Sequence, residues 1–232
     1  QTGLPYEMII NSNPSIAYLM RENPLYLQIL IMAHCVGHSD FFKNNRMFKH
    51  TRAESVIGRF RQAKKRIQEY VEDPYIGIEK VEETIDACHA LQYQIYRDGT
   101  QRKTHKELVE YYKGLREHDT DGNLVLVDLD SPPLEPDYDI MGFITEHAGM
   151  PDWKRDIIEI VRDEAYYFMP QIQTKIMNEG WASYWHYTIC HDLQLPDSFH
   201  IPFLRMHNAV IRPHIGSLNP YHLGFVIFQN IK

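Results

Sequence analysis

Histidine and glutamate at helical spacing are the residues of this chain best suited to chemistry. In Ala33-His34-Cys35-Val36-Gly37-His38 two histidines stand four apart. Positions i and i+4 lie on one helix face, a turn apart, so both imidazoles can reach one ion. A second element, Asn178-Glu179-Gly180-Trp181-Ala182-Ser183-Tyr184-Trp185-His186, sets Glu179 and His186 seven apart. That is about two helical turns, again on one face. A carboxylate buried among Trp181, Tyr184 and Trp185 is costly without a cation or strong donors beside it. A divalent metal held by His34, His38 and Glu179 would satisfy all three groups together. Zinc is the first expectation, and iron or manganese also suits two imidazoles and one carboxylate. A lone histidine pair at this spacing is commonly structural, and it is Glu179 that makes the set a candidate site.

The elements that must position these groups read as helices. Asn13-Pro14 and Asn23-Pro24 each offer an N-cap followed by proline in a first turn. Thr51-Arg52-Ala53-Glu54 is a capping-box pattern, followed by Val56, Ile57, Phe60, Ala63, Ile67, Tyr70 and Val71 at helical spacing. Arg61, Lys64, Lys65 and Arg66 cover the opposite, solvated face. Ile78 to Tyr96 repeats the pattern, and Thr104 to Glu107 opens a helix expected to reach about His118. Residues 119–139 are acidic, contain Pro132, Pro133 and Pro136, and read as a loop or linker. Within them, Leu124 to Leu129 is the one convincing strand-like segment. Helical signals return from Pro151, restart at Pro170, and cover Phe199 to Ile211 and Pro220 to Ile231. The expected fold is mainly α, a single multi-helix domain over 1–232 with little or no sheet, whose halves pack across the acidic loop.

Composition sets outer limits. The chain has 232 residues, 44% hydrophobic and 24% charged, which is that of a folded globular protein. A net charge of −7 argues against a general phosphate-backbone binder, so no nucleic-acid partner is expected. Cys35, Cys88 and Cys190 are sparse, odd in number and lack a C-x-x-C pair, so a reducing, cytoplasmic setting is expected. The longest apolar run, Leu25 to Val36, is interrupted by Gln28 and His34 and is too short to span a membrane. No signal peptide is visible. The chain opens on Gln1, and a piece of a longer protein is expected.

Other candidates compete less well. Glu164, in Arg162-Asp163-Glu164-Ala165-Tyr166, is a further ligand, a hydrogen-bond acceptor for a ligating histidine, or one half of a helix-end salt bridge. Asp119-Thr120-Asp121-Gly122 has its glycine too early for a calcium loop and reads as a turn. Thirteen histidines make chance pairs frequent, and only His186 stands out among the later ones, by its register with Glu179.

Two partial resemblances give the metal reading a chemical form. His34-x-x-x-His38 resembles the H-E-x-x-H helix of zinc metallopeptidases, in which both histidines bind zinc and the glutamate activates water. Asn178-Glu179-Gly180-Trp181-Ala182 is similar to the segment of gluzincin aminopeptidases that supplies the third ligand. Cys35 stands where that motif has its catalytic glutamate, and Glu179 lies much further downstream than in those enzymes. Peptide hydrolysis would therefore lack its usual general base, and Cys35, Glu164 and His186 are the candidate substitutes.

A broader resemblance covers nearly the whole chain. Gly37-His38-Ser39-Asp40-Phe41-Phe42-Lys43-Asn44-Asn45, Arg162 to Gln171, Thr174 to His186, and Asn219-Pro220-Tyr221 with Leu223-Gly224 resemble the stage V sporulation protein R (SpoVR) family. The resemblance implies a part in forming the spore cortex, a modified peptidoglycan, with protein partners of cortex assembly. It supplies no reaction or cofactor. Two readings stand open: a metal-dependent hydrolase with a zincin-like His34/His38/Glu179 site, and a non-catalytic assembly or regulatory protein whose His/Glu cluster is structural.

Overall fold

The computed structural model describes residues 7–96, 104–114 and 138–231. Contacts divide the chain into two compact units, one made of 1–62 with 167–232 and the other of 63–166. The expected strand at 124–129, most of the acidic loop and the helix end near His118 lie outside the described residues.

The first unit begins with a hairpin, β1 (Glu7–Ile10) and β2 (Ile16–Leu19), paired antiparallel with Glu7 opposite Leu19 and Ile10 opposite Ile16. Asn13-Pro14, expected to open a helix, instead lies in the connection between these strands. Asn11, buried at the end of β1, holds the hairpin in place. Its amide donates to Thr51 Oγ1 at 3.0 Å, and its carbonyl accepts from the Tyr167 hydroxyl at 3.1 Å. A short helix-free signal of this kind is hard to read, because four-residue strands leave little alternation to detect.

Helix α1 (Leu25–Asn44) is the core element of this unit. Pro24, not Asn23, occupies its N-cap position, with no side-chain cap. Leu27, Leu30, Ile31, Ala33, His34, Cys35, Gly37, His38, Phe41 and Phe42 are buried, a stripe too wide for a surface helix. The chain then makes short 3₁₀ turns before α2 (Val56–Glu72). Thr51 does not cap that helix. Its hydroxyl donates to Phe48 O at 2.8 Å and receives the Asn11 amide, so helix geometry starts five residues later.

Helix α6 (Asp152–Gln173) runs through Pro170, and the break expected there falls at Thr174. Helices α7 (Lys175–Asp192), α8 (Asp197–Val210) and α9 (Pro220–Ile231) complete the unit. Pairs such as His34 with His186 and His38 with Asn178 show α1 and α7 running antiparallel. Two glycine contacts bring the helices unusually close. A Cβ on Gly37 would stand 2.7 Å from Ala182 Cα, and one on Gly180 would stand 2.3 Å from the Gly224 carbonyl carbon. Trp181 and Tyr184 turn toward Phe228 of α9, with ring centroids 5.0 and 6.5 Å away. Trp181 also donates its Nε1–H to Asp40 Oδ2 of α1 at 2.9 Å, so the aromatic run touches both neighbouring helices, while Glu179 faces the histidines of α1.

In the second unit, α3 (Gly77–Leu91) buries Val81, Thr84 and Cys88 at helical spacing. It ends at Leu91, short of Tyr96, in a turn. Helix α4 (His105–Gly114) opens with the expected capping box. Thr104 N donates to Glu107 Oε2 at 2.7 Å, and Glu107 N donates back to Thr104 Oγ1 at 3.3 Å. Helix α5 (Ile140–His147) is capped by Asp139, which is fully buried. Asp139 Oδ1 accepts from Gly142 N at 2.8 Å, and Oδ2 accepts from Arg162 Nε and the Tyr166 hydroxyl, both at 2.8 Å. Arg162 thus pairs with a distant aspartate rather than with its neighbours Asp163 or Glu164. The described residues contain no helix long and apolar enough to cross a membrane.

Gly180→Ala should lower stability by at least about 1–3 kcal/mol, because rigid backbone cannot yield to the new methyl. Gly58→Ala, exposed in α2 with open space around it, should instead add about 0.5–1 kcal/mol. Paired thermal melts check both, and equal melting temperatures would refute the close-packing argument. Asp139→Ala should cost about 3 kcal/mol by stranding Arg162 and uncapping α5. Denaturant titration reads the loss.

Candidate metal centre

Helical register alone brings His34 and His38 onto one face of α1, their rings edge-on with centroids 4.5 Å apart. The antiparallel neighbour α7 presents Glu179 to both. Glu179 Oε2 lies 3.5 Å from His34 Nε2 and 3.4 Å from His38 Nε2. The three residues singled out from sequence therefore converge. A fourth joins them from the hairpin. Glu7 Oε1 lies 3.4 Å from His34 Nε2 and 4.0 Å from His38 Nε2. One donor atom from each of the four residues falls within 4.8 Å of every other.

These separations are long for hydrogen bonds between imidazole and carboxylate, which run about 2.7–2.9 Å. They match the edges of a coordination shell: donors held about 2.1 Å from an ion in tetrahedral array stand about 3.3–3.5 Å apart. His34 Nε2 and Glu179 Oε2 are buried with no hydrogen-bond partner, as is Glu7 Oε2. Buried polar atoms left unpaired in this way are costly, and His34 Nε2 facing Glu179 Oε2 is the pattern a cation would satisfy. The group can hold a metal ion.

The atoms that Glu179, His38 and His34 turn away from the centre are paired, and these contacts fix its orientation. Lys175 Nζ donates to Glu179 Oε1, which leaves Oε2 for the centre. Asn178 Oδ1 accepts from His38 Nδ1 at 2.8 Å, so the neutral ring carries its lone pair on Nε2. His34 Nδ1 meets His186 Nδ1 at 2.9 Å. Tyr221 and Phe42 lie parallel to the His34 and His38 rings, each at 6.1 Å.

The electrostatics follow from burying acids beside imidazoles. Burial alone would lower the His34 pKa, but the charge of Glu7 and the facing Glu179 carboxylate outweigh it and raise it to about 9. Burial alone would raise Glu179, yet the two facing imidazoles hold its carboxyl far below the usual carboxylate range. His186 is pushed well below its ordinary value by burial and by the neighbouring histidines.

The candidate substitutes for the missing base sit elsewhere. Cys35 packs with Leu30, Ile31 and Phe203 in the apolar cluster, and burial with the Glu7 charge pushes its thiol up to about 12. Glu164 belongs to the second unit and is outside the group. His186 stands behind His34, on the side away from the carboxylates. Sequence reading missed Glu7. Its signal was strand alternation, since Ile9 two residues on packs into the core and places Glu7 on the same inward face.

The family model described as SpoVR like protein matches residues 1–232. The chain belongs to the SpoVR-like family. A relative in Escherichia coli (strain K12), "Uncharacterized protein YcgB", is 37% identical over 262 residues. The match covers 100% of this chain and 51% of that protein, so the chain spans about half the length of the curated relative it matches. No solved structure matches it. The stretches of this SpoVR-like chain that carry the resemblance contain His38, Asn178, Glu179, His186 and Tyr221, which all lie in or against the cluster.

Metal binding here must displace the proton that the carboxylates hold on His34. Zinc affinity should therefore rise by about tenfold per pH unit from pH 6.5 toward 9 and then level off. Competition with a chromophoric chelator measures it, and a pH-independent affinity would contradict a ligating His34.

Proposed function

We propose that the SpoVR-like chain holds one divalent ion, zinc first, with iron or manganese as alternatives, on His34, His38 and Glu179, and serves a metal-assisted hydrolysis. Glu7 acts there as the proton-handling carboxylate. The family points to sporulation, and cortex peptidoglycan is the substrate class proposed for the full-length protein. The observation that carries the reading is the convergence of unpaired, buried His34 Nε2 and Glu179 Oε2 with His38 Nε2 on one point.

Glu7 is the looser member of the set. It stands 4.0 Å from His38 where Glu179 stands 3.4 Å, and it comes from the hairpin rather than from the helix pair. That placement suits a general base beside a three-ligand ion, the role left vacant by Cys35 in the peptidase pattern. A divalent ion on His34, His38 and Glu179 would supply Lewis-acid polarisation. Glu7 would accept a proton in such a hydrolysis, and Lys175 and Asn178 keep Glu179 and His38 oriented.

A second reading rests on all four donors lying within 4.8 Å of one another. With Glu7 as a fourth ligand, the shell is closed in the manner of structural zinc sites, and the chain is a non-catalytic assembly or regulatory protein.

Elemental analysis of purified protein tests for the ion, and Glu7→Gln separates the readings. Near-stoichiometric zinc, iron or manganese is expected in the wild type, with His34→Ala and Glu179→Ala losing it. No metal in the wild type would sink the proposal. Glu7→Gln should retain metal and lose hydrolysis of peptidoglycan fragments if Glu7 is the base. Metal affinity falling by about 10–100-fold instead would favour the closed, structural site.

A further inference from the structure

Behind His34, on the side away from both carboxylates, two more histidines continue inward. His34 Nδ1 meets His186 Nδ1 at 2.9 Å, and His186 Nε2 meets His207 Nδ1 at 2.7 Å. The three residues are 0%, 0% and 2% exposed. Aromatic rings enclose the inner end, with Phe203, Tyr187 and Phe225 around His207. In each contact one ring nitrogen must donate and the other accept. A neutral imidazole has a single N–H, so the direction of donation must agree along the chain.

Two directions satisfy that condition. In the outward-facing one, His207 Nδ1–H donates to His186 Nε2, and His186 Nδ1–H donates to His34 Nδ1. His34 then carries its proton on Nε2, which closes that atom to a cation. In the inward-facing one, His34 Nδ1–H donates to His186 Nδ1, and His186 Nε2–H donates to His207 Nδ1. His34 Nε2 is then free to bind. A cation held between His34 Nε2 and the two carboxylates selects the inward direction, because a neutral ring that ligates through Nε2 carries its one hydrogen on Nδ1 and must donate it.

We propose that His186 and His207 are positioning residues of the metal centre, a buried histidine chain that accepts from His34 Nδ1 and so keeps the Nε2 of His34 turned to the ion as a ligand. The inference rests on the metal centre proposed above. It also accounts for an asymmetry in the site. His38 is oriented by an amide oxygen of Asn178, which can only accept. His34 is oriented by a ring that can either accept or donate, and His207 supports the accepting form by taking the His186 Nε2 hydrogen. The same spacing that put His186 in register with Glu179 thus places it behind a ligand rather than beside the ion.

The test compares near-isosteric substitutions that differ in hydrogen bonding. His186→Asn keeps an acceptor near the position of Nδ1, and His186→Leu removes it. His207→Asn and His207→Leu repeat the comparison one ring further in. Zinc affinity is read by chelator competition, the cobalt(II) visible spectrum reports ligand geometry, and metal-free thermal melts report folding. Leu at either position should weaken zinc binding by about 10–100-fold relative to Asn and alter the cobalt spectrum. Asn and Leu variants that bind alike, whether both tight or both weak, would overturn the proposal, since packing alone would then explain the histidines. Wild-type protein that binds neither zinc nor cobalt would overturn the metal centre itself. Should the leucine variants not fold, ¹⁵N NMR of the zinc-loaded wild type decides. Couplings across the N–H···N bonds should assign the donors to His34 Nδ1 and His186 Nε2. Donors on His186 Nδ1 and His207 Nδ1 would refute the chain.

Discussion

Two imidazoles and the Glu179 carboxylate are buried at one point of the first unit with the partly buried Glu7 beside them, and the surrounding architecture answers to that charge. Glu7 and Glu179 would each be strongly destabilised if moved out of water alone. They are tolerated because His34 and His38 face them and because Glu179, His38 and His34 are each tied from outside the cluster. Lys175 takes one Glu179 oxygen, Asn178 takes His38 Nδ1, and His186 takes His34 Nδ1. What is left over points inward, at hydrogen-bond-free separations near 3.4–3.5 Å.

Such a cluster requires helices that approach more closely than ordinary side chains permit. Gly37 lets α1 lie against Ala182, one turn from Glu179, and Gly180 lets α7 lie against Gly224 of α9. Each glycine is adjacent to a ligand candidate, His38 in one case and Glu179 in the other. The backbone contact therefore sets the depth at which those side chains meet. The aromatic residues Trp181 and Tyr184 pack α7 against Phe228 of α9, and Trp181 also ties α7 to α1 through Asp40.

The second unit uses a buried charge differently. Asp139 caps α5 and anchors Arg162 and Tyr166 in one carboxylate. All its acceptor demands are met by protein donors, so this acid is architectural. Glu179, by contrast, keeps one buried oxygen without a donor. That difference separates a structural carboxylate from a candidate ligand more sharply than burial does.

Helical periodicity made the mainly α class readable, along with the register of His34 with His38 and the capping box at Thr104. These depend on neighbours within one or two turns, and a local pattern encodes them. Thr51 carried the same capping signature, but its hydroxyl was claimed by Asn11, forty residues away. Pro170 carried a helix-start signature, but α6 runs through it to Gln173. Glu7 was hard to read because a four-residue strand leaves little alternation to detect. The sequence by itself determined which side chains could bind a cation and which shared a helix face. Only the tertiary structure decided that Glu7 joins them, that Cys35 turns into the apolar core, and that His186 stands behind His34. Those outcomes depend on how separate elements pack and on which partner each buried polar atom finds, and neither is written in local spacing.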